Sequence, residues 1–352
     1  MTLSTLHQHM SRSILVEAEA IRTAVAVFVP VLAGQLLGSP TWGITVGLGG
    51  LYVALAERPA STVRSMLTAA LVVALAAGLG ATLGTVTILA VAGMLMIAFS
   101  GSLMDAYGPV SGGIGFSAAL TFAVSTGLAG TWPVGLERFV QFGIGGLWAI
   151  LLTLILWHWT GKLSLVRAYT ERDSQSKKPE VHQPTWAWLR AMWTVHPSFI
   201  QHAARMAVTA AAALLLSHLL NIMYGSWVPI TVLVIVKPDY ESTRRRAHER
   251  LFGSLVGGVI ALMLAGLIRS VLVLDILLVV SSVLAFSHLP HDYRRYAIFF
   301  TIFIVLLKVN FAPNDWEIAL GRIGDTLIGG GLALMAAYLL RERTQSDTTT
   351  PA

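Results

Sequence analysis

Arg322 and Asp325 stand three residues apart in an otherwise apolar stretch near the C-terminus. On a helix that spacing places them on one face, where they can neutralise each other. An ionisable group at membrane depth costs at least about 2.5–3.5 kcal/mol on insertion scales, so it normally has a partner or a purpose. Arg138 and Gln141 repeat the spacing in the first half, with an amide in place of the carboxylate. That copy reads as a net cation, and a cation facing a cavity would attract an anion. A structural tie between helices accounts for the same residues, and both readings stay open. Asp325 is the better candidate for carrying a proton, as a carboxylate set between desolvation and an arginine's charge. His218 is a second candidate, although a lone membrane histidine also serves as a hydrogen-bonded packing residue. Arg22 and Arg205 open the first apolar segment of each half. They either snorkel to the headgroups or line an inner vestibule. Asp275, one turn into its segment, is expected to pair with Arg269.

The elements that must position these groups are membrane helices. Hydrophobic residues make up 55% of the 352-residue chain and charged residues 12%, about half the share usual in a soluble domain. The mean hydropathy is +0.71. A spanning helix needs roughly 17–25 mostly apolar residues. The first half offers segments at 21–38, 42–56, 65–83, 86–104, 111–129 and 137–158, and the second at 203–221, 226–236, 250–268, 271–287, 296–309 and 316–340. The runs are long and do not alternate, so the fold class expected is all-α with about twelve transmembrane helices rather than a barrel. With the N-terminus inside, Lys and Arg gather in one set of loops, and the opposite loops carry only Arg269. This asymmetry places both termini in the cytoplasm and explains the net charge of +6 without nucleic acid. The absence of cysteine excludes disulfides, thiol chemistry and a thiolate zinc site. No metal or other cofactor is expected. Residues 1–20 do not read as a cleaved signal peptide.

The chain also reads as written twice. Ile21-Arg22-Thr23-Ala24-Val25 is echoed by Ala204-Arg205-Met206-Ala207-Val208, Trp42 by Trp227, and Arg58-Pro59 by Lys237-Pro238. Arg138 before Gly145-Gly146 is echoed by Arg322 before Gly329-Gly330. Two parallel six-helix repeats follow, with a shared site where they meet. The expected organisation is a cytoplasmic segment 1–20, a first repeat 21–159, a cytoplasmic linker 160–201, a second repeat 202–341 and a tail 342–352. The linker holds Lys177-Lys178-Pro179-Glu180 and an interfacial helix around Trp186, Trp188 and Trp193. In both repeats the second segment is short, 42–56 with four glycines and 226–236 with Pro229. Interrupted segments in matching positions point to a transporter's binding site, which brings Trp42, Trp227 and Pro229 into the substrate-site set. The spaced pairs Gly34/Gly38, Gly80/Gly84 and Gly253/Gly257 read as close helix packing.

The most distinctive string runs from Lys237-Pro238-Asp239-Tyr240 through Thr243, Arg246 and Arg250 to Gly253-Ser254 and Gly257. Proline ends the short helix before it, and a basic run at a pore mouth concentrates anions. This string resembles the signature of the fusaric-acid-resistance-like (FUSC) transporters, a group that includes aromatic acid exporters and is similar to the plant aluminium-activated malate channels. Arg322-x-x-Asp325-Thr326-x-x-Gly329 resembles the late motif of that family. The first copy, Arg58-Pro59-Ala60-Ser61-Thr62, lacks the acid after proline. Many members carry sizeable cytosolic domains that this chain does not contain. The resemblance implies an inner-membrane exporter of small organic anions such as aromatic carboxylates, driven by the proton gradient. The alternative it allows is a passive anion channel. An enzyme is not expected: there is no HExxH, no serine elbow and no carboxylate cluster at membrane depth. The partners implied are a small organic anion, the bilayer and protons, with room for a periplasmic adaptor or a homo-oligomer.

Overall fold

The computed structural model describes residues 3–57, 61–160, 197–222, 225–268, 270–309 and 317–346. Among these the chain is all-helical. The first half comprises α1 (Leu3–Leu36), α2 (Pro40–Ala56), α3 (Val63–Leu83), α4 (Thr87–Leu103), a short 3₁₀ turn at Met104–Tyr107, α5 (Pro109–Thr126) and α6 (Trp132–Thr160). The second comprises α7 (Pro197–Leu219), α8 (Trp227–Ile235), α9 (Tyr240–Leu267), α10 (Val271–His288), α11 (Tyr293–Val309) and α12 (Glu317–Ser346). Of the stretch expected to link the halves, Thr160 ends α6 and 197–201 begin α7, while 161–196, with Trp186, Trp188 and Trp193, lie outside the described residues, as do Arg58-Pro59 and Arg269.

Local chemistry sets the helix starts. Pro40 and Pro109 occupy first-turn positions of α2 and α5, where a missing N–H costs nothing. Thr62 and Ser65 cap α3 reciprocally. The Asp239 carboxylate accepts the Ser242 N–H and caps α9. α1 already begins at Leu3, so residues 3–20 are helical and continuous with the first apolar segment.

Among the described residues, six helices are long and apolar enough to cross a bilayer: α1 from Glu17, α3, α4 with its 3₁₀ extension, α6, α7 from Phe199, and α9. The rows of exposed leucines on α3 (Leu67, Leu71, Leu75, Leu79) are the faces such helices turn to lipid. The two short segments are unequal. α2 is a complete helix of 17 residues, about 25 Å long at 1.5 Å per residue. α8 has only 9 residues, about 14 Å, under half of a hydrocarbon core. Pro229 does not interrupt it. It is the third residue of α8, in the first turn, where no intrahelical N–H partner is needed.

The helices pack in matching pairs. α3 packs on α5 and α6, and α9 on α11 and α12. α2 packs on α6 and α8 on α12, while α4 packs on α5 and α10 on α11. The halves meet crosswise, α1 against α10 and α7 against α4. The repeated glycines explain one of these pairs. A Cβ at Gly145 would strike the carbonyl of Val46 on α2, and one at Gly329 would lie 2.8 Å from the carbonyl of Val228 on α8. Gly253 and Gly257 likewise bring α9 against Ala297 and Ile298 of α11. Gly38 is different: nothing lies within 4 Å of its Cβ position and its φ is +68°. It serves the turn after α1 rather than helix packing.

Candidate functional site

A cavity of about 680 Å³ lies at the N-terminal end of the short α8. Thr41, Thr45 and Leu48 of α2 form one wall, and Ser217, His218 and Asn221 another. Arg138 projects from α6, Trp227 opens α8 and closes the floor, and Ile304 and Leu307 come from α11. Both halves of the chain therefore contribute. The lining is mostly apolar with a few convergent polar groups, the usual make-up of a small-molecule site.

Arg322 lies beneath this floor. Its guanidinium carbon is 3.9 Å from the centre of the Trp227 ring, a cation–π distance. Arg322 is 1% exposed, and its Nε, Nη1 and Nη2 make no hydrogen bond among the described residues. A buried guanidinium with five unused N–H donors is costly unless something accepts them. Asp325, also buried, acts on Arg322 through its charge. The pair shares a face of α12, as the spacing requires, yet no hydrogen bond joins them that satisfies the guanidinium.

From Arg322 the arginines continue toward the other end of the bundle, interleaved with aromatic rings. Arg250 of α9 is buried, with its guanidinium 5.7 Å from the Phe300 ring. Arg246, one turn earlier, lies 3.7 Å above the Tyr293 ring. Tyr293, Tyr296 and Phe300 share one face of α11, with centroids 5.4 and 5.2 Å apart in succession. Tyr52 of α2 is buried in electrostatic reach of Tyr296 and Arg322, so the first half also lines this column. Arg246 and Arg250, members of the distinctive string, both stand on α9, which begins ten residues before the expected segment at 250, and Arg250 is buried. Tyr52, Tyr293 and Tyr296 were missed. The signal available was the 293/296/300 spacing, three aromatics on one helical face.

At the far end of the column the Lys237–Gly257 string resolves into a built turn. The Thr243 hydroxyl accepts the Lys237 N–H at 3.0 Å and donates to the Asp239 carbonyl at 2.9 Å. Arg205 donates to the carbonyls of Lys237 and Pro238 at 2.9 and 2.5 Å, which pins the turn between α8 and α9 to α7. Ser254 and the late motif's Thr326 are 3.0 Å apart and hydrogen-bonded, so the two strings of the sequence meet in space. Burial, reinforced by the nearby Arg246, pulls the Lys237 ammonium down to about 8, and Asp105 opposes this.

The first half departs from these roles. Arg138 is not a lone cation: it donates to Gln141 Oε1 at 2.6 Å and has Glu137 at 3.7 Å. Gln141 also accepts from Thr45 and donates to Glu137, so it holds α6 to α2. Arg22 neither snorkels nor lines a vestibule. It is buried, 2.6 Å from Glu57 and 2.6 Å from Glu19, and it donates to Thr153 at 2.6 Å. This ties α1, the end of α2 and α6 together, because two carboxylates and a hydroxyl compensate one buried charge. Arg205, its counterpart, is half-buried and donates to the Lys237 and Pro238 carbonyls in the turn after α8. His218 lines the cavity and pairs with the Thr87 hydroxyl at 3.0 Å. Trp42 is half-buried and Pro229 buried, and neither lines the cavity. The Asp275–Arg269 pairing falls outside the described residues.

The model of the family described as fusaric acid resistance protein-like matches residues 210–336. That span holds Trp227, the Lys237–Gly257 string and the Arg322/Asp325 pair, so the resemblance read from those residues is borne out. The chain is similar to inner membrane protein YccS of Escherichia coli, 28% identical over 204 residues that make up 58% of this chain and 28% of that protein. It is also similar to uncharacterized protein slr1298 of Synechocystis, 28% identical over 183 residues, 51% of this chain and 24% of that one. Uncharacterized protein ORF2 of Neisseria gonorrhoeae is 28% identical over 169 residues, 46% of this chain and 40% of its own length. The matches thus span well under half of these relatives. No solved structure matches. The apolar helices and this likeness make the chain a membrane protein.

Proposed function

Since the chain is related to the fusaric acid resistance protein-like family through its second half, we propose that it is the membrane unit of a transporter for small organic anions. Aromatic carboxylates are the first class to test, and export across the inner membrane is the direction. The observation that carries this reading is Arg322: a buried cation with open donors, stacked on the tryptophan that floors a cavity. A carboxylate would take the guanidinium donors in a charge-assisted, bidentate pair. An aromatic ring would find Trp227, Tyr52 and Tyr296 beside it. The arginine–aromatic column from Arg246 to Arg322 supplies further stations of the same chemistry.

In this reading the Lys237 end faces the cytoplasm, where Lys and Arg collect. The cavity then opens toward the periplasmic half. Twelve helices cross or enter the bilayer as two parallel six-helix repeats. The matched packing pairs and the crosswise α1–α10 and α4–α7 contacts support that symmetry. Rocking of one repeat against the other would alternate access to Arg322. Asp325, one turn along the same helix face, is the group assigned to proton coupling, with His218 on the cavity wall as a secondary candidate.

The test is transport of an aromatic carboxylate in proteoliposomes, with and without a pH gradient. An antiporter responds to the gradient, and Asp325→Asn removes that response. A channel conducts equally in both conditions and is unaffected by Asp325→Asn. No flux of any organic anion would overturn the reading.

A further inference from the structure

At the Lys237 end, a cleft of about 840 Å³ opens on the outside of the bundle between α9 and the start of α11. It is separate from the substrate column, because its arginines are those that point away from it. Arg244 and Arg245 line it from α9 and Arg294 from α11. Arg244 is paired with Glu241 at 3.2 Å. Arg245 and Arg294 stand in no ion pair among the described residues. Arg294 is held with its guanidinium 5.6 Å from the Phe252 ring. Glu249 and His248 are the remaining titratable groups of the wall. The three arginines exceed the two carboxylates, and His248 adds charge when protonated.

Below the arginines the wall becomes apolar. Phe252, Leu255, Val259, Met263 and Leu267 are all exposed and follow one another at helical spacing along α9. A single element thus offers guanidinium groups at its end and an unbroken apolar stripe below them. This is the profile of a phospholipid, a phosphate at the headgroup level and acyl chains beneath. Basic clefts between helices on the cytoplasmic side hold acidic headgroups.

We infer that this cleft is a binding site for an acidic phospholipid of the inner leaflet, its phosphodiester held by Arg245 and Arg294 and its acyl chain laid along the Phe252–Leu267 stripe. The inference rests on the inward orientation proposed above, but not on transport. Its readout is binding, so a chain that moves no anion can still pass the test. A phospholipid is favoured over free phosphate because the stripe continues the site into the hydrocarbon.

The test is native mass spectrometry of the purified full chain, released from nanodiscs of equal phosphatidylglycerol and phosphatidylcholine. The wild type should retain phosphatidylglycerol with about a thirtyfold preference, the converted worth of two surface arginines. Arg245→Gln with Arg294→Gln should reduce that preference to near unity. Arg295→Gln should preserve it, because Arg295, next in sequence to Arg294, does not line the cleft and is paired with Asp292 at 3.2 Å. Millimolar inorganic phosphate should not displace the lipid. Circular dichroism confirms that each variant is folded. A preference unchanged in the folded double variant, or displacement by phosphate, would overturn the inference.

Discussion

The guanidinium carbon of Arg322 lies 3.9 Å from the ring centre of Trp227. Arg322 sits on α12 and Trp227 opens α8, so the contact joins the last helix to the short one. It also connects the buried cation to the cavity. A desolvated cation–π contact is worth about 2 kcal/mol, or about thirtyfold in an equilibrium. Trp227→Leu should therefore raise the apparent KM for an aromatic carboxylate by one to two orders of magnitude. Trp227→Phe should keep most of the affinity. Initial rates in proteoliposomes distinguish the two.

Glu57→Gln tests the buried tie of the first half. Removing one partner of a buried pair costs about 3–5 kcal/mol. Glu19 remains 2.6 Å from Arg22 and offsets part of that. The expected loss is about 2–3 kcal/mol, read as a lower midpoint of thermal unfolding in detergent. An unchanged midpoint would mean that the Arg22–Glu57 contact contributes nothing net.

The glycines give a matched pair of variants. Gly145→Ala pushes a methyl group into the Val46 carbonyl, and overpacking of this kind costs about 1–3 kcal/mol. Gly324→Ala meets nothing within 4 Å. It should be neutral or stabilise by up to about 1 kcal/mol, since alanine favours a helix. Equal midpoints for both variants would remove the close α2–α6 approach from the account.

Lys237 predicts a pH dependence. Its ammonium is lowered from 10.5 to about 8 by burial and by Arg246. Below pH 8 it is charged in both folded and unfolded chains, and the fold bears the burial cost. Between about 8 and 10.5 the unfolded chain binds the extra proton, so stability rises with pH across that window. In the proposed transporter, substrate recruitment has the opposite sense, because the mouth loses a positive charge as the pH on its side passes 8. Lys237→Arg should flatten the fall in initial rate above pH 8. A fall of the same steepness in the variant would assign it to another group.

How much of this was legible in the sequence varies by level. The helical class followed from long apolar runs, and the Arg322/Asp325 face from three-residue spacing. The pairing of Gly145 and Gly329 was visible as a repeat, although its purpose needed the carbonyls of Val46 and Val228. What was not legible depended on which way a charged helix face turns. Arg246 and Arg250 sit in a run of arginines whose members look alike in sequence. Four-residue spacing sends these two inward, and Arg244 and Arg245 outward. Arg22 and Arg205 look equivalent for the same reason. They differ because Glu57 supplies a side-chain carboxylate to one, whereas backbone carbonyls satisfy the other. The two short second segments also looked alike, yet α8 has 9 residues and α2 has 17, and the cavity is lined where α8 begins.

In the proposed transporter, Arg322 holds the carboxylate of the transported anion. Flux of an aromatic carboxylate through reconstituted Arg322→Gln protein tests it most directly, with Arg322→Lys beside it. The glutamine variant should lose at least about thirtyfold, and lysine should recover part of it, because it restores charge without the planar fork. Wild-type flux through a folded, fully inserted Arg322→Gln protein would contradict it.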